Sequence, residues 1–411
     1  MVPDPISMIR YRADWILPIA GDPLPDTWVA LDRGRIVALG RPDDGGGADV
    51  VDLGRAAVLP GLVNAHTHLE LSYLRGAVPP AARFLDWIRS LMARRREHAD
   101  AADPRIVEAA AAGIREARAA GTAVVGDISN TLVTVPMLAE AALPALVFYE
   151  LLRFDEPDPV ARVQRARQQL DALPSYPDVR TALAPHAPYS VAPLLFRAIR
   201  HDLDRHPFDR STVHLGESAE EVEFIRAGTG PWRELLQGLG VWTDGWKPPG
   251  TSPVAYLADA GFLDRRVLAV HGVQFTAADL ARLAALGSAI VSCPRSNRHV
   301  GVGPPPLEAF YAAGVPVAFG TDSLASVEDL NVFGELAEAR RAAPSVPARR
   351  LLESATLAGA RALGFEGEFG SVEPGKRGAL IAVALPGPVP DVEEYLLSGI
   401  TPSGIRWLDA R

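Results

Sequence analysis

The sequence predicts an α/β protein, because short β-prone runs alternate with longer helical stretches rich in Ala, Leu and Arg. Eight such repeats follow one another over about three hundred residues, a number and length typical of a (β/α)8 TIM-type barrel. An open, doubly wound sheet is the competing architecture. No strand-like run here is followed by the GxGxxG pattern with which such a sheet binds a dinucleotide, and this favours the barrel.

The eight strand-like runs are bounded by turn residues and are rich in Val, Leu, Ala and Ile. In order, they cover residues 57–68, 122–128, 143–152, 180–188, 211–217, 267–272, 289–294 and 315–322. Apolar residues at helical spacing separate them, at 104–121, 159–173, 192–203 and 276–287.

The two ends of the chain have a different pattern. Residues 26–44 alternate about "DRG" and predict a hairpin, followed by a loop at 42–50, and residues 370–387 return to β character after a predicted helix at 352–364. We expect both ends to pair in one small β-sandwich domain. The predicted domains are therefore residues 1–57 and 367–411, which share the small domain, and 58–366, which form the barrel.

Composition limits the class of partner. The net charge of −9 disfavours nucleic acid and acidic membrane surfaces, and no stretch approaches membrane-spanning length, so we expect a cytoplasmic protein with a small-molecule substrate. The single cysteine, Cys293, excludes an internal disulfide and a thiolate zinc cluster. A homodimer is compatible with a barrel of this size, although no surface pattern selects an oligomeric state.

The run "VNAHTHLELS" ends in two histidines, His66 and His68. Side chains two apart on a strand point to the same face, so both should face the mouth of the barrel. This H-x-H pattern alone is weak evidence for a metal. Other runs also end in ligand-capable side chains, namely His186, His214, His271 and Asp322. Such residues at the carboxyl ends of several barrel strands are what catalysis on this fold requires.

Imidazoles and one carboxylate form a set suited to a single divalent ion, Zn²⁺ or alternatively Fe²⁺, with a position left for water. There are five histidines for such a set, so at least one acts differently. A pair of ions bridged by a carboxylated lysine needs a lysine at a strand end. The two lysines, Lys247 and Lys376, lie elsewhere, and one ion is therefore expected.

Glu217 follows His214 by three residues, where the chain turns over the mouth. A metal ion lowers the pKa of a bound water, but the leaving group still needs a proton. A carboxyl group in a water-poor site can hold that proton, so Glu217 is the candidate acid. The alternative is a helix cap or a solvated loop acid. The acids that follow, Glu220, Glu221 and Glu223, are interpreted as a solvated helix face.

The chain resembles the amidohydrolase superfamily, and within it the aminohydrolase-type deaminases. The resemblance spans nearly the whole chain and is carried by "PGLVNAHTH", "HLGE", "VHG", "SCPRSN" and "GVPVAFGTDS", with "GSVEPGKRGAL" in the flank. It implies that four residues hold one metal ion, namely His66, His68, His214 and Asp322. It further implies that His271 orients the water and helps to deprotonate it, and that Asp322 accepts the water proton. It implies too that Glu217 then protonates the ring nitrogen of the heterocycle and helps ammonia leave.

A finer resemblance, in "HTHLELS", "FLDWIRSL", "FYELL" and "APHAPYS", is to the branch that contains aminodeoxyfutalosine deaminases of menaquinone biosynthesis. Related branches deaminate adenosine, methylthioadenosine or S-adenosylhomocysteine. The resemblance implies substrate contacts from five residues: Glu70 and Ser72 to a ribose hydroxyl, His186 to a ring nitrogen or sugar oxygen, Trp87 as a stacking or closing residue, and Arg153 to a carboxylate. Core packing for Trp87, an ion pair with Asp155 or Glu156 for Arg153, and a structural hydrogen bond for His186 stay open.

Other functions share parts of this pattern. A hydrolase of the same fold that cleaves a carbon–halogen or amide bond has the same metal set. A non-catalytic metal-binding scaffold is disfavoured because all six metal and acid–base positions are chemically intact. Cys293 has no base assigned to it and is not expected to be a nucleophile. Ser296 and Asn297 are interpreted as turn-formers in a loop over the pocket.

Overall fold

The structure is a computed structural model that describes residues 8–41, 49–98 and 100–408. Eight parallel strands form its centre, in two four-stranded sheets. The first sheet has the order β6 (Leu62–Thr67), β7 (Thr122–Ser129), β8 (Ala145–Leu151) and β9 (Val179–Pro185). The second has the order β10 (Ser211–Leu215), β11 (Val267–His271), β12 (Ala289–Ser292) and β13 (Val317–Phe319).

The two sheets meet at both of their edges. Thr67 at the end of β6 forms a parallel bridge with Asp322, just beyond β13. At the other junction, the backbone N–H of His214 in β10 donates to the carbonyl of His186, directly after β9, at 2.8 Å. This arrangement of parallel strands is consistent with a TIM-type barrel.

Each of the eight predicted strand runs overlaps one of these strands, but the first run, 57–68, is two strands. β5 (Ala56–Pro60) precedes Gly61, and β6 follows it. A side chain at Gly61 would place its Cβ 2.6 Å from Ala123 Cβ and 2.8 Å from the Trp407 ring, so only glycine allows the chain to pass this crowded point. β5 spans the boundary predicted between residues 57 and 58.

Helices cover the outside of the parallel strands, and most connect one strand to the next. They are α1 (Phe84–Arg96), α2 (Pro104–Ala119), α3 (Thr134–Glu140), α4 (Pro159–Asp171), α5 (Pro193–Arg205), α6 (Ala219–Ala227), α7 (Pro231–Gly238), α8 (Pro253–Asp259), α9 (Ala277–Leu286), α10 (Pro294–His299), α11 (Leu307–Ala312), α12 (Val332–Ala342), α13 (Ala348–Ser354), α14 (Leu357–Leu363) and α15 (Val392–Leu396). Two 3-10 helices cover Leu69–Leu74 and Pro402–Gly404.

Local capping explains where several helices begin. The side chains of Asp103 and Asp158 accept hydrogen bonds from the first turns of α2 and α4, and both helices carry proline at the first position, where no N–H is needed. The single helix predicted at 352–364 is in fact two helices, α13 and α14, with Ala355 and Thr356 between them.

Both ends of the chain join one seven-stranded sheet. Its order is β15 (Ile405–Trp407), β14 (Leu380–Ala384), β5, β1 (Ile9–Ile16), β2 (Leu24–Asp32) and β3 (Arg35–Gly40), and β4 (Asp49–Asp52) pairs with β1. The hairpin predicted about "DRG" is the antiparallel β2–β3 pair. Residues 42–48 of the predicted loop lie outside the described residues. The division of this sheet into the two layers of a sandwich stays a prediction.

The central strands are buried on both faces, as parallel strands under a layer of helices must be. Every residue of β6, β7, β10 and β11 is buried. The polar side chains inside these strands, such as Asn64, Asp127 and His214, are buried as well, and each one needs a partner. None of the described helices is long and apolar enough to cross a membrane.

Candidate active site

The six side chains expected to hold the metal and move protons lie together at the carboxyl ends of the central strands: His66, His68, His214, Glu217, His271 and Asp322. The bridge between Thr67 and Asp322 brings the first and last strands of the series together here. The Asp322 backbone N–H also donates to the His66 carbonyl at 3.0 Å. Residues 256 positions apart thus share one site because the parallel strands end at the same edge.

Four of these side chains surround a common point. The His66 ring centre lies 4.9 Å from the ring centres of both His68 and His214, and one nitrogen of each ring lies within 4.8 Å of the others. The Asp322 Oδ1 atom is 3.4 Å from His68 Nε2 and 3.9 Å from His66 Nε2. Three imidazoles and a carboxylate at this spacing can converge on one ion.

The chemistry of these donors fits a metal ion. His66 is fully buried, and among the described residues neither of its ring nitrogens has a hydrogen-bond partner; His214 Nε2 also lacks one. Burial lowers the pKa of His66 well below its usual value, with the neighbouring imidazoles adding to the effect, so the ring is neutral. A buried, neutral imidazole without a partner is costly, and coordination to a divalent ion supplies one.

His271 and Asp322 are oriented by residues of α10. His271 Nδ1 lies 2.9 Å from Asn297 Oδ1, and the Ser296 hydroxyl donates to Asp322 Oδ2 at 2.6 Å. The Ser323 backbone N–H donates to Asp322 Oδ1 at 2.8 Å. The interpretation of Ser296 and Asn297 as turn-formers in a loop is wrong: both are fully buried in a helix and hold the two site residues in place.

The backbone at the same two residues is strained. His271 has φ of 74° and Asp322 has φ of 62°, a region that residues with a Cβ rarely adopt. Such a conformation costs on the order of 1–3 kcal/mol per residue and persists only where surrounding contacts determine it. The bonds from Asn297 and Ser296 are such contacts, and strain of this kind is concentrated at functional sites.

Glu217 lies two residues beyond β10 and is buried. Its Oε1 atom is 3.6 Å from His271 Nε2, so the two groups flank the same space. Burial raises the pKa of Glu217 to about 8, because the charged form is poorly solvated there. The carboxyl group is therefore protonated at neutral pH and is placed to donate.

Glu221 supports Glu217, a role that the solvated-face interpretation missed. It is fully buried, and its carboxylate accepts hydrogen bonds from the backbone N–H groups of Gly216, at 3.0 Å, and Glu217, at 2.9 Å. The Glu221 N–H in turn donates to the Ser218 hydroxyl at 3.2 Å. The pattern S-x-x-E over residues 218–221 is a helix-capping signal, and it could have identified this buried glutamate from the sequence.

His186 and Glu150 extend the cluster on the side of His214. The His186 ring centre lies 4.9 Å from that of His214, and His186 Nδ1 is 2.6 Å from the Ser190 hydroxyl. Glu150 Oε1 is 3.6 Å from His214 Nε2. Although burial raises the pKa of Glu150, the imidazoles of His186 and His214 lower it overall, and the carboxyl group is ionised. The structure thus brings His186 to the site as expected, together with a carboxylate to which no role was assigned.

Glu70 is held within the protein. Its Oε2 atom accepts from the hydroxyls of Ser129 and Thr131, both at 2.7 Å, and its Oε1 atom accepts from the Asn130 backbone N–H at 3.0 Å. Arg95 lies 3.8 Å from Oε1. The carboxylate therefore ties the loop after β7 to the 3-10 helix at Leu69–Leu74.

Ser72 packs against α2. It is buried, and its hydroxyl lies 2.7 Å from where a Cβ on Gly113 of α2 would stand, so it occupies the contact between the 3-10 helix and α2. Its ribose contact stays a prediction, to which this position lends no support.

Trp87 packs in the core, and Arg153 forms an ion pair, which are the two alternatives to substrate contacts that the sequence left open. Trp87 is buried and stacks in parallel on Phe84, with ring centres 6.3 Å apart. Phe84 also contacts Trp232 edge-on, within an aromatic layer near the site. Arg153 is half exposed and donates to Asp155 at 2.9 Å. The substrate contacts of both side chains stay predictions.

Comparison with known proteins gives the class. The model of the amidohydrolase family matches residues 57–404, a range that includes the eight parallel strands, β6 to β13, and the histidines of the candidate site. The chain belongs to this family, and it is a hydrolase that acts on C–N bonds.

Individual relatives are similar over most of their length. An aminodeoxyfutalosine deaminase of Deinococcus radiodurans is 36% identical over 319 residues, covering 75% of this chain and 74% of the relative. A 5-methylthioadenosine/S-adenosylhomocysteine deaminase of Halobacterium salinarum is 33% identical over 381 residues, covering 88% and 80%. The crystal structure of an adenosine deaminase from Xanthomonas campestris with bound zinc superposes with a TM-score of 0.82 at 29% identity, covering 97% of this chain and 90% of the other.

Proposed function

We propose that the protein is a metal-dependent hydrolytic deaminase of an amino-purine nucleoside, and that its substrate is 6-aminodeoxyfutalosine, converted to futalosine and ammonia in menaquinone biosynthesis. The observation that carries the reaction class is the place of Glu217, 3.6 Å from His271 at the edge of the histidine–aspartate cluster. The substrate is supported by the relative from Deinococcus radiodurans and by the sequence motifs shared with that branch.

Four residues would hold the ion: His66, His68, His214 and Asp322. We expect one Zn²⁺, with Fe²⁺ as the alternative, since both accept nitrogen and carboxylate ligands. When bound, the ion lowers the pKa of a water molecule and supplies a nucleophile near neutral pH. Elemental analysis of the purified protein identifies the metal.

The protein's own residues handle the protons. Asp322 accepts a proton from the attacking water, and His271, fixed by Asn297, orients that water toward the carbon that carries the amino group. Glu217 transfers its proton to the adjacent ring nitrogen. Asp322 then protonates the amino group, ammonia leaves, and the remaining hydroxyl proton returns to Glu217. An amino-purine has become an oxo-purine, and each residue regains its starting protonation state.

A second substrate class has specific support. The relative from Halobacterium salinarum covers more of this chain than the first relative does, and it is named for methylthioadenosine and S-adenosylhomocysteine. Adenosine, methylthioadenosine or S-adenosylhomocysteine is therefore the alternative substrate. A chlorohydrolase or amide hydrolase would use the same metal set, but the solved triazine hydrolases, at 22–24% identity, share the fold alone.

The test is ammonia release by the purified, metal-loaded protein with a panel of compounds: aminodeoxyfutalosine, adenosine, methylthioadenosine, S-adenosylhomocysteine, guanine, cytosine and a chlorinated triazine. We expect the highest kcat/KM with aminodeoxyfutalosine. A preference for another nucleoside would keep the reaction and replace the substrate. No ammonia from any amino-heterocycle, with metal bound, would contradict the proposal.

The proposal also covers the domain arrangement, the location and the oligomeric state of the protein. We take the two parallel sheets as one closed eight-stranded barrel over residues 58–366, with residues 1–57 and 367–411 forming the small β-domain. The protein would act in the cytoplasm on a small molecule, without nucleic acid or membrane. A homodimer stays a prediction, which sedimentation velocity tests.

A further inference from the structure

Glu150 is a buried carboxylate beside the histidines that no step of the proposed reaction uses. It lies in β8 and is 6% exposed. Asn130 holds one of its oxygens: the amide Nδ2 donates to Glu150 Oε2 at 2.9 Å and to the Glu150 carbonyl at 3.2 Å. Arg95 fixes that amide by donating to Asn130 Oδ1 at 3.0 Å. The hydrogen bonds from Asn130, itself held by Arg95, therefore fix the orientation of the carboxylate.

The other oxygen of Glu150 is free to accept. Oε1 lies 3.6 Å from His214 Nε2, beyond hydrogen-bond distance, and no described residue donates a hydrogen bond to it. With Oε2 held by Asn130, the open Oε1 atom is placed to accept a hydrogen bond from a ligand. A ligand group that carries O–H or N–H is the kind of partner that such a position fits.

His186 offers a second acceptor next to it. The Ser190 hydroxyl donates to the Ala187 carbonyl at 3.2 Å, so it accepts from His186 Nδ1, which carries the proton in this tautomer. The second nitrogen, Nε2, then has a lone pair. Ligand atoms of His186, Glu150 and His214 lie within 4.8 Å of one another. Two neighbouring acceptors suit a group with two neighbouring donors, such as the 2′,3′-diol of a ribose.

Glu70, for which a ribose contact was predicted, is already engaged by donors within the protein. Both Glu70 oxygens already accept hydrogen bonds from the loop after β7, at 2.7–3.2 Å. Removing one of these bonds to bind a sugar would leave a buried hydroxyl or N–H without a partner. A ligand can bind to Glu150 Oε1 without breaking a hydrogen bond within the protein, because no described residue donates to that oxygen.

We propose that Glu150 is a specificity-determining residue that accepts a hydrogen bond from a ribose hydroxyl of the substrate, with His186 accepting from the neighbouring hydroxyl. This inference rests on the proposed function, since it presumes a nucleoside. It assigns the sugar contact to the end of β8 rather than to the 3-10 helix after His68.

The test combines a substitution with a truncated substrate. kcat/KM is measured for the wild type and for Glu150→Gln with the riboside of the panel that the wild type deaminates fastest, and with its 2′-deoxy and 3′-deoxy analogues. A hydrogen bond to a charged group corresponds to about a 10- to 100-fold change in kcat/KM. We expect kcat/KM of Glu150→Gln to fall below that of the wild type by this factor with the riboside. With the analogue that lacks the bound hydroxyl, the variant and the wild type should have nearly the same kcat/KM.

Glu70→Gln is the matched control, since it alters an equally buried carboxylate without an open oxygen. Its losses should be equal with all three substrates. Equal losses for Glu150→Gln would overturn the inference alone, as would loss of the metal from Glu150→Gln in elemental analysis, which would make Glu150 a ligand. No ammonia from any nucleoside with the metal-loaded wild type would overturn the proposed function and this inference with it.

Discussion

Gly320→Ala tests whether close backbone packing beside His66 positions that histidine for a metal. Gly320 follows β13, and its N–H donates to the Ser292 carbonyl at 3.0 Å. A Cβ at this position would lie 2.7 Å from both the His66 Cβ and the His66 carbonyl oxygen, and 2.8 Å from its nitrogen. Most real Cβ contacts exceed 3.4 Å, so the two backbones would have to separate by about 0.7 Å.

This displacement is large for a metal ligand, because functional ligand distances vary by only about 0.2 Å. We expect zinc affinity to fall about 10- to 100-fold, the usual effect of losing support behind a ligand. Overpacking should also lower the free energy of unfolding by about 1–3 kcal/mol. A competition titration against a zinc chelator measures the first quantity, and urea unfolding of the metal-free protein the second.

Gly387→Ala is the control, since a Cβ there meets no atom within 4 Å and its φ is not positive. It should bind zinc as the wild type does. If Gly320→Ala also bound zinc with wild-type affinity, the position of His66 would not depend on this contact, and the reasoning would be refuted.

Three further predictions concern the site and its support, and a fourth concerns the ion pair between Asp178 and Arg377. His68→Ala should lose the metal, as measured by elemental analysis; a full complement of metal would exclude His68 from the ligand set. Glu217→Gln should bind metal and substrate but turn over about 10²- to 10⁴-fold more slowly, and unchanged kcat would remove Glu217 from the acid role. Glu221→Ala leaves two backbone N–H groups beside Glu217 unpaired, so kcat should fall, and Glu221→Gln, whose amide oxygen still accepts, should recover part of it; identical kcat in both variants would count against a positioning role. The hydrogen bond from Arg377 lowers the pKa of Asp178 below its ordinary 3.8, so this partly exposed pair should contribute about 0.2–1 kcal/mol of stability above that pH, lost as the pH falls through the lower folded-state pKa. Asp178→Asn should therefore be less stable than the wild type in urea at about pH 6 and equal to it at low pH, whereas a constant difference would contradict this cause.

The strands and the clustering of the histidines at their ends were predictable because they depend on short-range pattern. Apolar runs of strand length, repeated with helical stretches between them, indicate parallel strands, and parallel strands end at one edge. His214 and His271 could therefore be placed together without knowledge of any packing. Two strands that end at one edge bring their last side chains to within a few ångströms of each other, whatever lies between them in sequence.

Glu70 shows where that reasoning stops. The alternation His66, His68, Glu70 predicts one shared face, but only while the chain stays extended. β6 ends at Thr67, and the next residues form a 3-10 helix with three residues per turn. The change of period turns Glu70 toward the end of β7 and the loop after it, where four hydrogen-bond donors from Ser129, Asn130 and Thr131 occupy it. The period changes between Thr67 and Leu69, and the 3-10 helix that follows is only six residues long. Such a short segment has no sequence pattern that reveals where the strand ends.

The residues that orient the site form a third case, since they divide according to the reach of their contacts. Glu221 acts on the backbone only four and five residues before it, and the local S-x-x-E capping signal at residues 218–221 marks it as a residue that turns back toward that segment. Asn297 acts on His271 across 26 residues, and Ser296 acts on Asp322 across the same distance, so nothing local distinguishes them from turn residues. Both act from the first turns of a helix that begins directly after β12, which places their side chains over the ends of the neighbouring strands β11 and β13. A polar residue one turn into a helix that follows a barrel strand is thus a candidate partner for the strand-end residues on either side, and Asn297 and Ser296 meet one each.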